Sequence, residues 1–132
     1  MKLRAFVLTL ACTGALLTMG CSASAAPSVA LEDAREALQT SSAVVVDIRE
    51  PMEHATGVAK GALLIPTSQF GQRLAELPKP GKAPFLVICN TQNRSSKVVE
   101  QLQSMGYTNA RYVNGGMSQW AARGWPMVKP GS

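Results

Sequence analysis

The segment FLVICNTQNRS, residues 85–95, joins a short apolar run to a polar loop and then to the start of a helical pattern. Residues 85–88 are apolar and branched, which is typical of a strand buried on both faces of a parallel sheet. Cys89 stands at the carboxyl end of this strand, and apolar residues at helical spacing after Arg94 indicate a helix. A strand, a tight loop and a helix in this order predict an α/β fold.

The same alternation extends in both directions along the chain. Further apolar runs predict three more strands, at residues 43–46, 62–65 and 110–113. Apolar positions at helical spacing predict helices between and beside these strands, near residues 31–38, 68–77, 94–105 and 116–120. We therefore predict a central, mainly parallel sheet that is flanked by helices.

The first 26 residues differ in character from the rest of the chain. Lys2 and Arg4 precede an apolar run over residues 5–19, and small residues follow over 20–26, which is the layout of a secretory signal. The apolar run is shorter than the roughly 20 residues that a membrane-spanning helix needs. We expect an exported protein without a permanent membrane span.

Two cleavage routes fit this signal. Cleavage after residue 25, at the small residues 23–25, gives a soluble periplasmic protein, with residues 1–25 as the signal. Cleavage after residue 20 gives a periplasmic lipoprotein that a lipid on Cys21 anchors to the membrane. Either way, residues 27–132 are long enough for a single domain with one core.

The charge of the chain bears on its partners. The chain carries 13 Lys and Arg against 8 Asp and Glu, and two of the basic residues lie in the predicted signal. The mild excess suits small anionic substrates, but the basic runs and basic-aromatic interleaving that track nucleic acid do not occur. We expect no nucleic-acid partner, no cofactor and no metal.

Cys89 is the one cysteine that either cleavage route leaves as a free thiol, because Cys12 lies in the signal and Cys21 is removed or acylated. Exported proteins usually pair their cysteines, so an unpaired thiol favours a reactive role. The alternative is a buried cysteine that acts as a small apolar side chain.

The position of Cys89 gives that thiol a possible function. Ligands of open α/β sheets bind outside the carboxyl ends of the strands. A tight loop in front of a helix N-terminus can aim several backbone N–H groups at one anion, and here the loop consists of Asn90, Thr91, Gln92 and Asn93. That environment favours a thiolate or a persulfide, and Arg94 can offer a planar fork of donors to a sulfate-like group.

Residues 89–95 resemble the active loop of the rhodanese family, which begins with the catalytic cysteine and closes with an arginine before a small hydroxyl residue. Three further segments resemble family motifs in the right order: the Asp-x-Arg strand end at 44–51, the glycine-alanine segment at 57–66, and the double glycine with tryptophan at 114–126. The resemblance covers roughly Val29 to Met127. On these motifs the chain is identified as an exported, single-domain member of the rhodanese family.

The resemblance implies a two-step sulfur transfer from a small anionic donor, such as thiosulfate, to a thiophilic acceptor, such as cyanide or a thiol. It implies that Cys89 is the nucleophile and sulfur carrier, and that Arg94 binds the donor. The loop that would hold the substrate and the persulfide consists of Asn90, Thr91, Gln92, Asn93 and Ser95. Asp47 and Arg49 are expected to form a paired structural support behind this loop.

Gln92 departs from the family pattern, because many members have glycine there. A side chain at this position narrows the backbone options, since glycine reaches positive φ at little cost.

Three other functions stay open. Inactive rhodanese-like domains serve as docking or sensing modules, although such modules commonly lack the cysteine. Related phosphatases and arsenate reductases resemble Cys-x5-Arg, whereas four residues separate Cys89 from Arg94. A cysteine protease or Cys-His transferase would have to use His54, the only histidine, as its base.

Overall fold

Five short parallel strands form the centre of the computed structural model, which describes residues 25–132. Their order across the sheet is β1-β5-β4-β2-β3, and each neighbouring pair is parallel. The strands are β1 (Ser28–Val29), β2 (Val44–Asp47), β3 (Leu63–Leu64), β4 (Phe85–Ile88) and β5 (Ala110–Val113). The signal predicted from the sequence, with Cys12 and Cys21, lies outside the described residues apart from residue 25.

Helices cover both faces of this sheet. They are α1 (Leu31–Thr40), α2 (Pro51–His54), a 3₁₀ helix (Thr67–Glu76), α3 (Asn93–Ser104) and α4 (Gly116–Ala122). One core cluster joins the sheet to α3 and the 3₁₀ helix, and the other joins it to α1 and α4. The predicted α/β fold with a parallel sheet and flanking helices is confirmed.

The pleat of β4 decides the direction of the cysteine. Phe85 and Val87 belong to the core cluster on the α3 face, whereas Leu86 and Ile88 belong to the cluster on the opposite face. Successive side chains of a strand point to opposite faces. Cys89 continues the alternation and therefore packs on the α3 face, in the same cluster as Phe85 and Val87.

The structure corrects several element boundaries. The helix predicted over residues 68–77 is a 3₁₀ helix over Thr67–Glu76, interrupted at Arg73, whose φ of −113° is not helical. The strand predicted over 62–65 is reduced to the two residues of β3. Neither β1 nor α2 was predicted, because segments of two and four residues are too short to show a hydrophobic periodicity.

Within residues 25–132, no helix is both long enough and apolar enough to cross a membrane.

Candidate active site around Cys89

The thiol of Cys89 lies in the interior at the carboxyl edge of the sheet. Only 1% of the residue is exposed, and it directly follows Ile88, which pairs with Asp47 across β2 and β4. Its Sγ lies 3.3 Å from Oγ of Ser95, a fully buried residue in the first turn of α3. The sulfur therefore faces a hydroxyl at the helix N-terminus, where the helix dipole favours negative charge.

The hydroxyl of Ser95 has two possible acceptors for its single proton. Its Oγ lies 3.2 Å from the carbonyl oxygen of Gln92 and 3.3 Å from the sulfur of Cys89. When the sulfur is a neutral thiol, the thiol can donate to Ser95, which then donates to Gln92. When the sulfur is anionic, the hydroxyl can turn and donate to it, so Ser95 can serve both charge states.

The N-terminus of α4 fixes the first two peptide groups of the loop. The Met117 amide donates to the carbonyl of Cys89 at 2.8 Å, and the Ser118 amide donates to the carbonyl of Asn90 at 2.9 Å. In a trans peptide the N–H points opposite to the carbonyl, so the N–H groups of Asn90 and Thr91 point away from α4. Across residues 25–132, the amides of residues 90–95 donate to no other protein group, and they are available to an anion.

The double glycine makes this close approach possible. Gly115 and Gly116 adopt φ of +82° and +61°, which side chains rarely adopt. A Cβ on Gly116 would lie 2.2 Å from the carbonyl oxygen of Thr91 and 2.5 Å from those of Asn90 and Cys89. The loop carbonyls occupy the space of a side chain at Gly116, so that position requires glycine.

Gln92 does not need the glycine of the family pattern. Its φ is −149° and its ψ is −4°, so the backbone here does not use the positive φ that favours glycine. Its Oε1 accepts a hydrogen bond from the Gly115 amide at 3.3 Å. The Gln92 side chain thus ties the loop to the double glycine.

Arg94 is held by an acidic residue that the sequence did not reveal. Its two terminal nitrogens donate to the two carboxylate oxygens of Glu53, Nη1 to Oε2 at 2.8 Å and Nη2 to Oε1 at 2.6 Å. The two residues are 41 positions apart and both are partly exposed. The only signal in the sequence is that Glu53 follows the end of β2, at the sheet edge that also carries Cys89.

The pairing shifts both ionisation equilibria. The hydrogen bonds from Arg94 lower the pKa of Glu53 from its ordinary value of 4.5 to about 2, against a smaller opposing effect of burial. The hydrogen bond to Glu53 raises the pKa of Arg94, and the charges of Glu53, Cys89 and Glu50 add to this. Glu53 therefore stays ionised at every pH at which the protein is expected to work.

This pair predicts a specific acid sensitivity. Because the pKa of Glu53 is lower in the folded state, its contribution to stability is complete above pH 4.5 and is lost as the pH falls toward about 2. The melting temperature of the wild type should exceed that of Glu53→Gln at neutral pH, and the difference should shrink through this window. A difference that stays constant from neutral pH to about pH 2 would contradict the pairing.

A buried ion pair holds the turn that carries Glu53. Arg49 donates from Nη2 to Asp47 Oδ2 at 2.8 Å, and Asp47 and Arg49 are 0% and 4% exposed. The same guanidinium donates to the carbonyls of Gly57 at 2.8 Å and Glu53 at 3.3 Å. Buried charges are tolerated when they are paired and hydrogen-bonded, as here. Asp47 and Arg49 thus fix the segment from β2 through α2.

His54 is buried beside Asp47. It is 5% exposed, and its Nε2 lies 3.3 Å from Asp47 Oδ1 without the alignment of a hydrogen bond. The hydrogen-bonding neighbour of the Cys89 sulfur is Ser95. The geometry therefore gives no support to a Cys-His pair of the kind that cysteine proteases use.

The structure brings the predicted loop residues together around Cys89, but mostly through their backbones. Residues 90–93 are exposed, whereas Ser95 is buried and Arg94 is partly exposed. The loop thus offers amides rather than side chains to a ligand, with Arg94 as its one cationic side chain and Glu53 beside it.

Comparison with known proteins identifies the family. The family model of the Rhodanese-like domain matches residues 30–123. A sulfurtransferase of Allochromatium vinosum is 33% identical over 91 residues, which is 69% of this chain and 83% of that protein. The human thiosulfate:glutathione sulfurtransferase is 31% identical over 107 residues, covering 72% of this chain and 93% of that protein.

A solved structure agrees with these relatives. The human single-domain sulfurtransferase TSTD1 has a TM-score of 0.63 and 29% identity, with 74% of this chain and 97% of that chain covered. The family and the names of the relatives support a sulfurtransferase-type role. The chain belongs to the rhodanese-like domain family.

Proposed function

We propose that this protein transfers a sulfane sulfur from thiosulfate or a related donor to a thiophilic acceptor, such as cyanide or a thiol, through a persulfide on Cys89. The observation that carries the proposal is the arrangement at the end of β4. There the Cys89 sulfur faces Ser95. The carbonyls of Cys89 and Asn90 accept hydrogen bonds from the N-terminus of α4, so the loop amides point the other way and are available to bind an anion.

The reaction balances in two steps. In the first, the Cys89 thiolate attacks the outer sulfur of thiosulfate, the S–S bond of the donor breaks, and sulfite leaves with the electron pair. In the second, cyanide or a thiolate attacks the terminal sulfur of the persulfide, and the Cys89 thiolate leaves as the product departs. The enzyme ends as it began, so no oxidant or reductant is consumed.

The loop amides and Ser95 supply the electrostatic stabilisation in both steps. A thiolate, a persulfide and a departing sulfite are all anionic, and N–H donors in a fixed position stabilise such charge without reorganisation. Arg94 lies at the same edge and adds a cation for the anionic donor. The four-residue spacing from Cys89 to Arg94 favours sulfur transfer over phosphate-ester hydrolysis, for which related enzymes resemble Cys-x5-Arg.

The test is to incubate the protein with thiosulfate and to measure its intact mass. We expect the addition of one sulfur atom, its location by peptide mapping on the fragment that contains Cys89, and its removal by cyanide with release of thiocyanate. If neither thiosulfate nor polysulfide adds sulfur to Cys89, the enzyme proposal fails and a docking or sensing module takes its place. Phosphatase turnover without sulfur loading would favour the phosphatase class instead.

We also propose that the protein acts in the periplasm, soluble or anchored by a lipid on Cys21. This proposal rests on the signal-like pattern of residues 1–26, which lies almost entirely outside the described residues. Mass spectrometry of the protein isolated from its source should find an N-terminus at Ala26 or an acylated one at Cys21. A bulk population that still begins at Met1 would contradict both routes.

A further inference from the structure

We propose that Glu53 selects sulfur donors by charge, by holding Arg94 in a neutral pair, so that low-charge persulfides of small thiols are used in preference to dianionic donors such as thiosulfate. This inference rests on the proposed function and narrows its substrate class. Glu53 is a positioning residue in this view, because it acts through Arg94 rather than on the reacting sulfur.

The first support is the occupancy of the guanidinium. Two parallel hydrogen bonds, at 2.8 Å and 2.6 Å, join the terminal nitrogens of Arg94 to the Glu53 carboxylate. This is the bidentate geometry that arginine uses for carboxylates and for sulfate-like groups alike. An oxyanion that approached the same two nitrogens would have to displace a carboxylate that already fills the position.

The second support is that Glu53 is held in place on its own side. Its Oε2 also accepts a hydrogen bond from the Glu50 amide at 2.9 Å, and its carbonyl accepts one from the buried Arg49. The carboxylate is therefore a tethered competitor, with a high effective concentration at Arg94. Its pKa of about 2 means that protonation does not remove it near neutral pH.

The third support is the balance of charge in the connected groups. The network that runs from the buried ion pair to Arg94 contains two guanidinium groups, Arg49 and Arg94, and two carboxylates, those of Asp47 and Glu53. Its charges balance to zero, and the Glu50 carboxylate, which bonds to Ser68, adds a negative charge that acts on Arg94 through space. A dianion therefore finds no excess of positive charge here, whereas a neutral or singly charged persulfide needs none.

Transfer from such a donor balances without a further reagent. The Cys89 thiolate attacks the terminal sulfur of R–S–SH, the S–S bond of the donor breaks, and R–S⁻ leaves with the electron pair. Cys89 then carries the persulfide with the donor's proton. The leaving group carries one charge where sulfite would carry two, so this route depends less on a free Arg94.

The test compares the alkylation of Cys89 by two reagents of the same shape, neutral iodoacetamide and anionic iodoacetate, in the full chain with peptide mapping. In Glu53→Gln the rate with iodoacetate should rise roughly tenfold relative to that with iodoacetamide, because one negative charge near the approach is lost and Arg94 is freed. Glu50→Gln is the matched control, since it removes a charge from the same turn but leaves the Glu53–Arg94 pair intact. In Glu50→Gln, the ratio of the iodoacetate rate to the iodoacetamide rate should change far less.

A double variant tests whether the effect passes through Arg94. In the Arg94→Ala background, Glu53→Gln should change the reagent ratio much less than in the wild type, because the cation that it releases is absent. Glu53→Ala serves as a second version of the single variant. A far-UV circular dichroism spectrum that matches the wild type shows that the fold is kept in each variant.

Transfer kinetics supply the final comparison. Glu53→Gln should lower the KM for thiosulfate with little change in kcat, and should leave transfer from the persulfide of β-mercaptoethanol nearly unchanged. An unchanged reagent ratio in both Glu53 variants, or an equal rise in Glu50→Gln, would overturn the inference while thiosulfate loading left the proposed function standing. A changed ratio without sulfur loading from any donor would retain the charge selection and refute the sulfurtransferase proposal.

Discussion

Cys89→Ser should abolish sulfur loading and thiocyanate release together. A serine hydroxyl is a far weaker nucleophile than a thiolate and cannot carry a persulfide. The substitution is close to isosteric and the site is buried beside Ser95, so the fold should persist. The measurement is intact mass after incubation with thiosulfate, followed by peptide mapping of any adduct.

Cys89→Ala is the control for this result. It removes the new hydroxyl as well as the thiol, and it should give the same loss of transfer with a melting temperature near that of the wild type. Sulfur that still appears on the fragment containing residue 89 in either variant would be an artefact of mapping. Thiocyanate production that survives in both variants would mean that Cys89 is not the sulfur carrier.

Gly116→Ala should lower sulfur transfer by about 100-fold or more, because a displacement of about 1 Å at a reactive group has that effect. The new Cβ would lie 2.2–2.5 Å from three loop carbonyl oxygens, and such contacts force a shift. Two of those carbonyls are bonded to α4 at 2.8 Å and 2.9 Å. Relief of the contact must therefore move α4 away from the loop or rotate the loop peptides, and either change misplaces the amides.

Gly124→Ala separates this steric effect from backbone strain. Gly124 has a φ of +66°, close to the +61° of Gly116, but a Cβ there would meet no atom within 4 Å. The Gly124→Ala protein should lose roughly 1–2 kcal/mol of unfolding free energy, which is the cost of a left-handed conformation for a residue with a side chain. Its rate of sulfur transfer should stay at the wild-type value. Equal losses of activity in the two variants would show that strain alone, and not the contact with the loop, explains the result. Thermal unfolding of Gly116→Ala and Gly124→Ala measures the loss of stability that each substitution causes.

The active loop illustrates how far sequence reasoning reached within the site. The position of Cys89 after an apolar strand, and of Arg94 at the start of a helix, could be read directly from residues 85–95. The structure puts both at one edge of the sheet, together with the Asp47–Arg49 pair. The family pattern suggested that a side chain at Gln92 would exclude a positive φ, and the structure shows that the loop uses a negative φ of −149° at this position.

Glu53 could not be predicted in the same way. It lies 41 residues before Arg94, in a helix of four residues, and a surface glutamate has no periodic or local signature. The contact arises because β2 and β4 are adjacent in the sheet and run parallel, so that the segments following their carboxyl ends meet. The adjacency of two strands is a property of the assembled sheet.

The sequence by itself determined the α/β class, the four strands with apolar runs, and the position of Cys89 at the end of a strand, because these depend on local hydrophobic pattern. Tertiary structure decided three further features: the pairing of Arg94 with Glu53, the bonding of the loop carbonyls to α4, and the absolute need for glycine at Gly116. Each of these three features is a contact of a few ångströms between segments that are far apart in the sequence. Such distances are fixed only when the whole core packs, since no local pattern records which backbone groups will meet.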